Sequence, residues 1–253
     1  MRGLSGKRAI VTGGASGIGR KICERFGEEH TEVFVFDLNA EGAEQTARTI
    51  RDAGGIAFAC QVDISSETQV RDAVAKAEQH GGIDILVNNA GWDKMSPFLE
   101  TDTELWKKIV DINLYGPLYM HHAVLPGMVD RQSGRVINIA SDAGRVGSSG
   151  EAVYSACKGG IAAFGKTIAR ELSRSGVRIN TVCPGPTDTP LFDEFAQGEL
   201  GEKIKEGLKR SIPLKRLATP DDFPGIVCFL ASDDAAFITG QTVSVSGGLT
   251  MHG

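Results

Sequence analysis

Little in this sequence marks a disulfide-stabilised, metal-binding or membrane-spanning protein. Its five cysteines are odd in number, lie far apart and form no C-x-x-C pair, which argues against a disulfide framework and indicates a reducing compartment. Its five histidines include no H-E-x-x-H motif, so no metal site is expected. There is no secretory leader pattern and no run of the roughly 18 apolar residues that a membrane-spanning helix requires. These absences predict a soluble cytoplasmic protein with no membrane partner.

Positive charge is also scarce. The 27 Lys and Arg residues are outnumbered by 32 Asp and Glu residues, which gives a net charge of −5 at pH 7. Because nucleic-acid-binding domains usually carry a basic face, this balance argues against a nucleic-acid partner. Phosphate can still be bound locally by backbone N–H groups.

What the sequence has in excess is glycine, with 32 of 253 residues against a usual share of about 7%. Hydrophobic residues make up 41% of the chain and charged residues 23%, which is enough for a substantial core and a solvated surface. Tight turns and close backbone approaches are therefore expected.

Apolar, β-branched segments alternate with amphipathic segments along the whole chain. Near-continuous Val, Ile and Phe content is typical of parallel strands covered on both faces. Repeated β-α-β units predict an α/β fold: a doubly wound parallel sheet of about seven strands with helices on both faces, in a single domain over residues 1–253. The predicted strands are Arg8–Thr12, Val33–Asp37, Ala57–Val62, Ile85–Asn88, Val136–Ala140, Ile179–Cys183 and Thr242–Val245. The clearest predicted helices are Lys21–Glu29, Asn39–Ala53, Glu67–His80 and Ala152–Ser175.

One long irregular stretch, Pro184–Pro220, interrupts this alternation with five prolines around a polar helical patch. A segment of that length is more typical of a substrate lid than of a spacer. We place the lid at about residues 188–216.

A glycine-rich turn, Thr12–Gly19, follows the first strand and precedes a helix. Its spacing is G-x-x-x-G-x-G, and such a turn offers backbone N–H groups and a helix N-terminus to a phosphate. It misses the P-loop pattern because Arg20 and Lys21 stand where Lys and a hydroxyl residue are needed.

A carboxylate, Asp37, ends the second strand and is placed to accept the hydroxyls of an adenosine ribose. A 2′-phosphate there would meet like charge, so the sequence predicts NAD rather than NADP. The alternative is that Asp37 is an exposed strand end before the Asn39 helix cap. Asp63 and the Asn88–Gly91 turn follow the next two strands and are expected at the same edge of the sheet.

A phenol and an ammonium, Tyr154 and Lys158, stand four residues apart on the long predicted helix. Free tyrosine has a pKa of about 10, and a nearby cation lowers it enough for proton exchange with an alcohol. The hydroxyl of Ser141, after the fifth strand, is placed to hold the substrate oxygen. Asn113 is polar in an apolar segment; its amide either fixes a water that relays protons to Lys158 or satisfies a helix carbonyl.

Together these motifs resemble those of the short-chain dehydrogenase/reductase family. The resemblance rests on Thr12–Gly19, Asn88–Gly91, Asn113, Ser141, Tyr154-x-x-x-Lys158 and Pro184-Gly185, which occur in this order over practically the whole chain. It implies a Rossmann fold, a nicotinamide cofactor, a homotetramer and a catalytic tetrad of Asn113, Ser141, Tyr154 and Lys158. The cofactor-binding residues implied are Gly13, Ser16, Gly17, Ile18, Gly19, Asp37, Leu38, Asp63, Ile64, Asn89, Ala90, Gly91, Tyr154, Lys158, Pro184, Gly185, Thr187 and Thr189.

Within the family, several segments are similar to those of dehydrogenases that oxidise a cyclic 2-hydroxyacyl-CoA with NAD. These segments are Asn89–Asp93, Met120–Met128, Val146–Val153, Pro184–Thr189 and Phe237–Met251. The similarity implies a small-molecule substrate, here a CoA thioester, with Trp92, Asp142, Arg145 and Val146 as its contacts. Six basic residues of the lid are candidates for the CoA phosphates: Lys203, Lys205, Lys209, Arg210, Lys215 and Arg216. The alternative for this cluster is a solvated helix face.

Two other functions remain open. One is another enzyme of the family, acting on a cyclic alcohol, a 3-hydroxyacyl-CoA or a 3-oxoacyl-carrier thioester. The other is a catalytically silent protein that senses NAD, which would be expected to lack Tyr154, Lys158 or Ser141; all three are present.

Overall fold

A computed structural model describes residues 1–189, Phe192 and 198–251 of the chain. Its centre is one sheet of seven parallel strands in the order β3-β2-β1-β4-β5-β6-β7. The strands are β1 (Arg8–Thr12), β2 (Glu32–Asp37), β3 (Ala57–Gln61), β4 (Ile85–Asn88), β5 (Gly134–Ile139), β6 (Val177–Pro184) and β7 (Thr242–Val245). This confirms the predicted α/β fold and its seven strands. The order reverses between β1 and β4, which is where open sheets of this kind bind ligands.

Helices cover both faces of the sheet. They are α1 (Gly17–Glu28), α2 (Ala40–Asp52), α3 (Glu67–Glu78), α4 (Thr103–Val110), α5 (Gly116–Asp130), α6 (Ala143–Val146), α7 (Ala152–Glu171), α8 (Gly198–Ser211) and α9 (Pro224–Ala231). One apolar cluster, which includes Phe26, Ile50 and Phe223, fills the face under α1, α2 and α9. A second, which includes Val74 and Met120, fills the face under α3 and α5. Within the described residues, no helix is long and apolar enough to cross a lipid bilayer.

Two predicted helix boundaries were wrong. The first helix begins at Gly17 rather than Lys21, because the last glycines of the turn already form its opening turn. The long helix α7 ends at Glu171 and is followed by a separate 3-10 turn, Ser173–Ser175. Gly176, in the left-handed region with φ 66°, then directs the chain into β6.

A close backbone contact holds α7 against the turn that follows β5. A Cβ atom on Gly144 in α6 would lie 2.6 Å from the backbone nitrogen of Gly159 in α7. Only glycine permits this approach. The contact fixes the position of Tyr154 on α7 relative to Ser141, which precedes α6.

The buried Arg178 of β6 ties the end of α9 to the sheet. Its guanidinium donates hydrogen bonds to the carbonyl oxygens of Leu230, Ser232 and Ala235. Leu230 lies in the last turn of α9, where carbonyl groups lack intrahelical donors, whereas the Ser232 and Ala235 carbonyls also accept from the N–H groups of Ala235 and Ile238. The side chain therefore stabilises the edge of the sheet that carries β6.

We expect Arg178→Met to lower the free energy of unfolding by about 3 kcal/mol, because it removes three buried charge-assisted hydrogen bonds to carbonyl groups. Urea denaturation followed by circular dichroism measures this change. Arg174→Met, at an exposed position of the same segment, serves as the control and should change stability by no more than about 0.5 kcal/mol. Equal effects of the two substitutions would contradict the assignment.

Candidate active site

The glycine turn between β1 and α1 leaves no space for side chains. A Cβ atom on Gly19 would lie 2.1 Å from the carbonyl oxygen of Gly13, and one on Gly13 would lie 2.8 Å from the Cα atom of Ala90. Gly13 and Gly17 have φ values of 67° and 53°, which favour glycine. The exposed N-cap residue Ser16 makes no side-chain cap hydrogen bond, so the first N–H groups of α1, beginning at Gly17 and Ile18, lack a side-chain acceptor from the cap. This arrangement suits a bound pyrophosphate.

The turn after β4 braces the glycine turn. The Thr12 hydroxyl oxygen accepts hydrogen bonds from the backbone N–H groups of Asn89 and Ala90, both at 3.0 Å. In return, the Asn89 amide donates to the carbonyl oxygens of Thr12 at 2.9 Å and Gly13 at 3.2 Å. Asn89 and Ala90 therefore pack against the glycine turn and fix its conformation.

The carboxylate of Asp37 stands at the end of β2, beside the glycine turn. One oxygen accepts a hydrogen bond from the Ala15 N–H at 2.9 Å, and the other accepts from the Asn39 N–H at 2.8 Å. Each carboxylate oxygen has further acceptor capacity, so both can still bind ribose hydroxyls. Asn39 also caps α2 by accepting from the Gly42 N–H, so both interpretations of Asp37 are compatible with the same geometry.

The two cations that follow the glycine turn, Arg20 and Lys21, point to other partners than Asp37. The Arg20 guanidinium donates to the Glu24 carboxylate at 2.9 Å, and the Lys21 ammonium donates to the same carboxylate at 3.0 Å. Lys21 also lies 3.5 Å from a carboxylate oxygen of Asp221. Neither side chain is directed by these contacts toward the Asp37 carboxylate.

The turn after β3 lies farther along the same edge. The Asp63 carboxylate accepts hydrogen bonds from the Ser65 N–H and hydroxyl at 2.9 and 2.6 Å. Ile64 is buried beneath Gly116, and Leu38 is exposed after β2. An apolar side chain and a carboxylate therefore border the space expected for an adenosine group.

Ser141 and Tyr154 meet at the carboxyl edge of β5. Their hydroxyl groups are hydrogen-bonded to each other, and the Ser141 oxygen also accepts from the Ala143 N–H at 3.1 Å. The ammonium of Lys158 is buried, donates to the Ile139 carbonyl at 3.1 Å and lies 5.4 Å from the centre of the Tyr154 ring. Three of the four predicted catalytic residues thus share one site.

The electrostatics of this site differ from the sequence-based expectation. Burial raises the pKa of the Tyr154 phenol, and the carboxylates of Glu151 and Asp93 raise it further, while the bond to Ser141 opposes them. Burial also lowers the pKa of Lys158 to about 8. The expectation that Lys158 makes the phenol more acidic is therefore not met in the chain on its own, because desolvation dominates the pKa of Tyr154.

Asn113 lies in a π-helical turn, Asp111–Tyr115, between α4 and α5. Its buried amide donates to the carbonyl oxygens of Ile109 at 2.9 Å and Trp92 at 2.6 Å, and its oxygen accepts from the Trp92 N–H at 3.3 Å. Of the two predicted roles, this side chain fulfils the second by satisfying a helix carbonyl. It also fixes the Gly91–Trp92 turn beside Lys158. A role for Asn113 in anchoring a water stays a prediction.

The turn after β6 lies over the glycine turn. The Gly185 N–H donates to the Val245 carbonyl, and the Thr187 hydroxyl donates to the Gly185 carbonyl at 2.8 Å. The methyl group of Thr189 lies 3.8 Å from where a Cβ atom on Gly17 would stand. Thr189 therefore lies beside the glycine turn, and the cofactor contacts implied for Pro184, Gly185 and Thr187 stay a prediction.

Two predicted substrate residues instead link the turn after β5 to β7. The Ser244 hydroxyl donates to the buried Asp142 carboxylate and accepts from the Arg145 guanidinium, the latter at 2.8 Å. These contacts give Asp142 and Arg145 a structural role, which spacing in the sequence did not reveal. Val146 is exposed, and Trp92 lies under the Lys108 ammonium, 3.7 Å from the ring centre.

The predicted basic lid is partly neutralised. Arg216 forms a two-pronged ion pair with Asp222 at 2.6 and 2.7 Å, and Lys209 pairs with Glu206 at 2.7 Å. The positions of the predicted lid at 190, 191 and 193–197 lie outside the described residues. Of the described part, α8 carries most of the remaining positive charge.

A carboxylate that sequence reasoning missed, Asp93, is buried two residues after Gly91. Its side chain is 3% exposed, and neither oxygen has a hydrogen-bond partner among the described residues. Burial raises its pKa to about 6; the negative charge of Glu151 adds to this, whereas the Lys94 amide and Lys158 oppose it. The only available sequence signal was an acidic residue directly after the Asn-Asn-Ala-Gly turn.

Comparison with known proteins identifies the family. A family model described as enoyl-(acyl carrier protein) reductase matches residues 13–250. Galactitol 2-dehydrogenase of Agrobacterium fabrum is 38% identical, covering 97% of this chain and 98% of the relative, and 3-oxoacyl-(acyl-carrier-protein) reductase of Chlamydia pneumoniae is 36% identical, covering 98% of each. The chain belongs to the short-chain dehydrogenase/reductase family.

Solved structures of the family agree with this assignment. Levodione reductase superposes with a TM-score of 0.93 at 30% identity, covering 96% of this chain and 97% of the other. A protein of Sinorhizobium meliloti, assigned as a short-chain alcohol dehydrogenase, superposes with a TM-score of 0.92 at 32% identity, covering 97% and 96%. The chain is therefore an oxidoreductase with the family's complete fold.

We expect Asp93→Asn to stabilise the protein at pH 7 by about 1–2 kcal/mol. When the pKa of a carboxyl group is higher in the folded than in the unfolded state, the folded protein becomes less stable as the pH rises from the unfolded to the folded pKa value. For Asp93 this range runs from about 4 to about 6. The gain should therefore disappear at pH 4. Unfolding free energies of wild type and variant at both pH values measure it, with the exposed Asp72→Asn as control. A loss of stability at pH 7 would show that Asp93 has a structural partner.

Proposed function

We propose that this protein is an NAD-dependent dehydrogenase that oxidises a secondary alcohol to a ketone. The observation that carries the proposal is the hydrogen-bonded pair of Ser141 and Tyr154 beside the buried ammonium of Lys158. The nicotinamide cofactor, when bound, supplies the hydride acceptor. The glycine turn, Asn89 and Thr189 would border the cofactor, and the fit rests on the N–H groups at the start of α1, which receive no side-chain cap from Ser16.

Each polar group of the site has a distinct task in this proposal. Tyr154 takes the proton of the substrate hydroxyl, and Ser141 holds the substrate oxygen by a hydrogen bond. Lys158 provides a buried positive charge that stabilises the phenolate once it forms. The remainder of the chain positions the substrate carbon and excludes water.

The choice of NAD over NADP rests on charge. A 2′-phosphate on the adenosine ribose would approach the Asp37 carboxylate. Arg20 and Lys21, which follow the glycine turn, are paired with Glu24. Neither of these two cations is directed to the place where a 2′-phosphate needs one, whereas free ribose hydroxyls can donate to Asp37.

We further propose a cyclic 2-hydroxyacyl-CoA as substrate, with 2-hydroxycyclohexane-1-carboxyl-CoA as its type. Support comes from segments around the site that resemble 2-hydroxycyclohexane-carboxyl-CoA dehydrogenase, above all Asn89–Asp93 and Val146–Val153. Lys203 and Arg210 remain exposed on α8 for the CoA phosphates. The proposal includes residues 188–216 as the substrate lid, a cytoplasmic location and a homotetramer.

A second candidate substrate is a polyol. It is favoured by the 38% identity to galactitol 2-dehydrogenase and by the buried carboxylate of Asp93, which acts on Tyr154 and is suited to accept hydrogen bonds from hydroxyl groups. The NAD-sensing alternative lacks such support, since Ser141, Tyr154 and Lys158 are all in place.

The function is tested by following NADH absorbance with three substrates: cyclohexanol, 3-hydroxybutyryl-CoA and 2-hydroxycyclohexane-1-carboxyl-CoA. We expect the cyclic thioester to give the highest kcat/KM and Tyr154→Phe to lower kcat at least about 1,000-fold while NADH binding stays within about twofold. Equal efficiency for free alcohol and thioester would overturn the CoA proposal. Retained turnover in the variant would remove Tyr154 from the mechanism.

Asp37→Ala should raise KM for NAD and reduce the preference over NADP by at least about tenfold, because it removes the ribose acceptor and the charge that repels a 2′-phosphate. Steady-state kinetics with both cofactors measure the ratio. Glu41→Ala, an exposed carboxylate in the first turn of α2, is the control for a nonspecific charge effect. An unchanged ratio would show that the ribose is read elsewhere.

A further inference from the structure

The Asp93 carboxylate is placed as a ligand-binding group rather than as a structural one. It is almost fully buried, and neither oxygen is hydrogen-bonded within the described part of the chain. Two other carboxylates with low exposure do have partners: one oxygen of Asp142 binds Ser244, and Asp222 binds Arg216. A buried carboxylate without a partner is costly, and such groups are typical of functional sites.

Asp93 lines a cavity that opens between the loop after β4 and the start of α7. The cavity has about 10 Å³ of space for a water-sized group and is partly open to solvent. Its walls combine the carboxylates of Asp93 and Glu151 with apolar groups of Phe98, Leu105, Trp106, Ile109 and Val153. It offers hydrogen-bond acceptors beside surfaces that suit a hydrocarbon ring or chain.

This cavity adjoins the reacting groups. Asp93 and Glu151 each raise the pKa of Tyr154, and Asp93 also interacts with the charge of Lys158. Val153 directly precedes Tyr154 in the sequence, and Glu151 is the N-cap residue of α7. The cavity is thus lined by the first residues of α7, which also carries Tyr154, and by a carboxylate whose charge acts on that phenol.

We propose that Asp93 determines substrate specificity by accepting a hydrogen bond from an uncharged O–H or N–H group that the substrate carries near its reacting carbinol. The inference rests on the proposed dehydrogenase function and adds a binding group to the same site. The donor has two possible sources: a second hydroxyl of a diol or polyol, or an amide N–H in the pantetheine arm of a CoA thioester.

The charges around the cavity favour an uncharged donor. An anionic group would be repelled by two carboxylates at once. Two cations, the buried Lys158 and the Lys94 that also lines the cavity, already balance those carboxylates, so a cationic group would leave excess positive charge. A neutral donor satisfies the Asp93 oxygens without changing this balance.

Two substitutions of Asp93 and one matched control test the proposal. Asp93→Leu removes both charge and acceptor, and Asp93→Asn removes the charge but keeps one acceptor oxygen. Glu151→Gln removes the other carboxylate that acts on Tyr154, so it reproduces the effect of lost charge on the phenol without removing the buried acceptor.

Three probes distinguish the two possible donors. Cyclohexanol has no second hydroxyl and no amide, trans-1,2-cyclohexanediol has a second hydroxyl, and 3-hydroxybutyryl-CoA has the amide N–H groups of its pantetheine arm. We expect Asp93→Leu to lower kcat/KM for at least one donor-bearing probe by roughly 10- to 100-fold relative to cyclohexanol. Asp93→Asn should have a smaller effect. Glu151→Gln should change the three probes by the same factor. Whichever probe loses efficiency identifies the source of the donor.

A uniform change of all three probes in Asp93→Leu, or the same selective loss in Glu151→Gln, would overturn the proposal. Calorimetric titration of each probe into the complex of the protein with NADH gives the same comparison without catalysis. Absence of turnover in the wild type would therefore count against the proposed function alone, whereas equal binding of the probes by wild type and Asp93→Leu would count against Asp93.

Discussion

The buried ammonium of Lys158 is the constraint on which the active site depends. Burial favours its neutral form, and its hydrogen bond to the Ile139 carbonyl holds it at the end of β5. The surrounding backbone is shaped to admit it: a Cβ atom on Gly91 would lie 3.2 Å from the ammonium nitrogen and 2.9 Å from the Asn113 amide oxygen. Glycine at this position, the π-helical turn at Asn113 and the close packing of α6 on α7 all follow from placing one charge in the interior.

The same burial explains why the free chain does not activate its own phenol. Desolvation and two nearby carboxylates raise the pKa of Tyr154, and the bond from Ser141 is not enough to reverse this. The chain by itself therefore keeps Tyr154 protonated at neutral pH. In the proposed function, the positive charge of an oxidised nicotinamide cofactor would favour the phenolate when it is bound, so that proton transfer would require the complete complex. Tyr154 would then be a neutral phenol in the free enzyme and a proton-accepting phenolate in the complex, which suits alcohol oxidation near neutral pH.

Much of the fold followed from the sequence, because its determinants are local. All seven strands are apolar runs, and the glycine turn and the Tyr-x-x-x-Lys spacing are contiguous motifs. The interactions that the sequence did not predict join residues that are distant in the chain. The Asp142–Ser244–Arg145 link joins positions about a hundred residues apart, and the Arg216–Asp222 ion pair depends on the fold of the loop before α9. The burial of Asp93 is set by helices α4 and α7 together, which no spacing in its own segment encodes.

The central claim is that Tyr154 becomes acidic only when the oxidised cofactor is bound. The most direct test is a pH titration of tyrosinate absorbance, taken as the difference between wild type and Tyr154→Phe, with and without NAD. The account predicts a pKa above the ordinary value of about 10 in the free protein and a value near neutrality in the complex. The same high pKa in both states would contradict it.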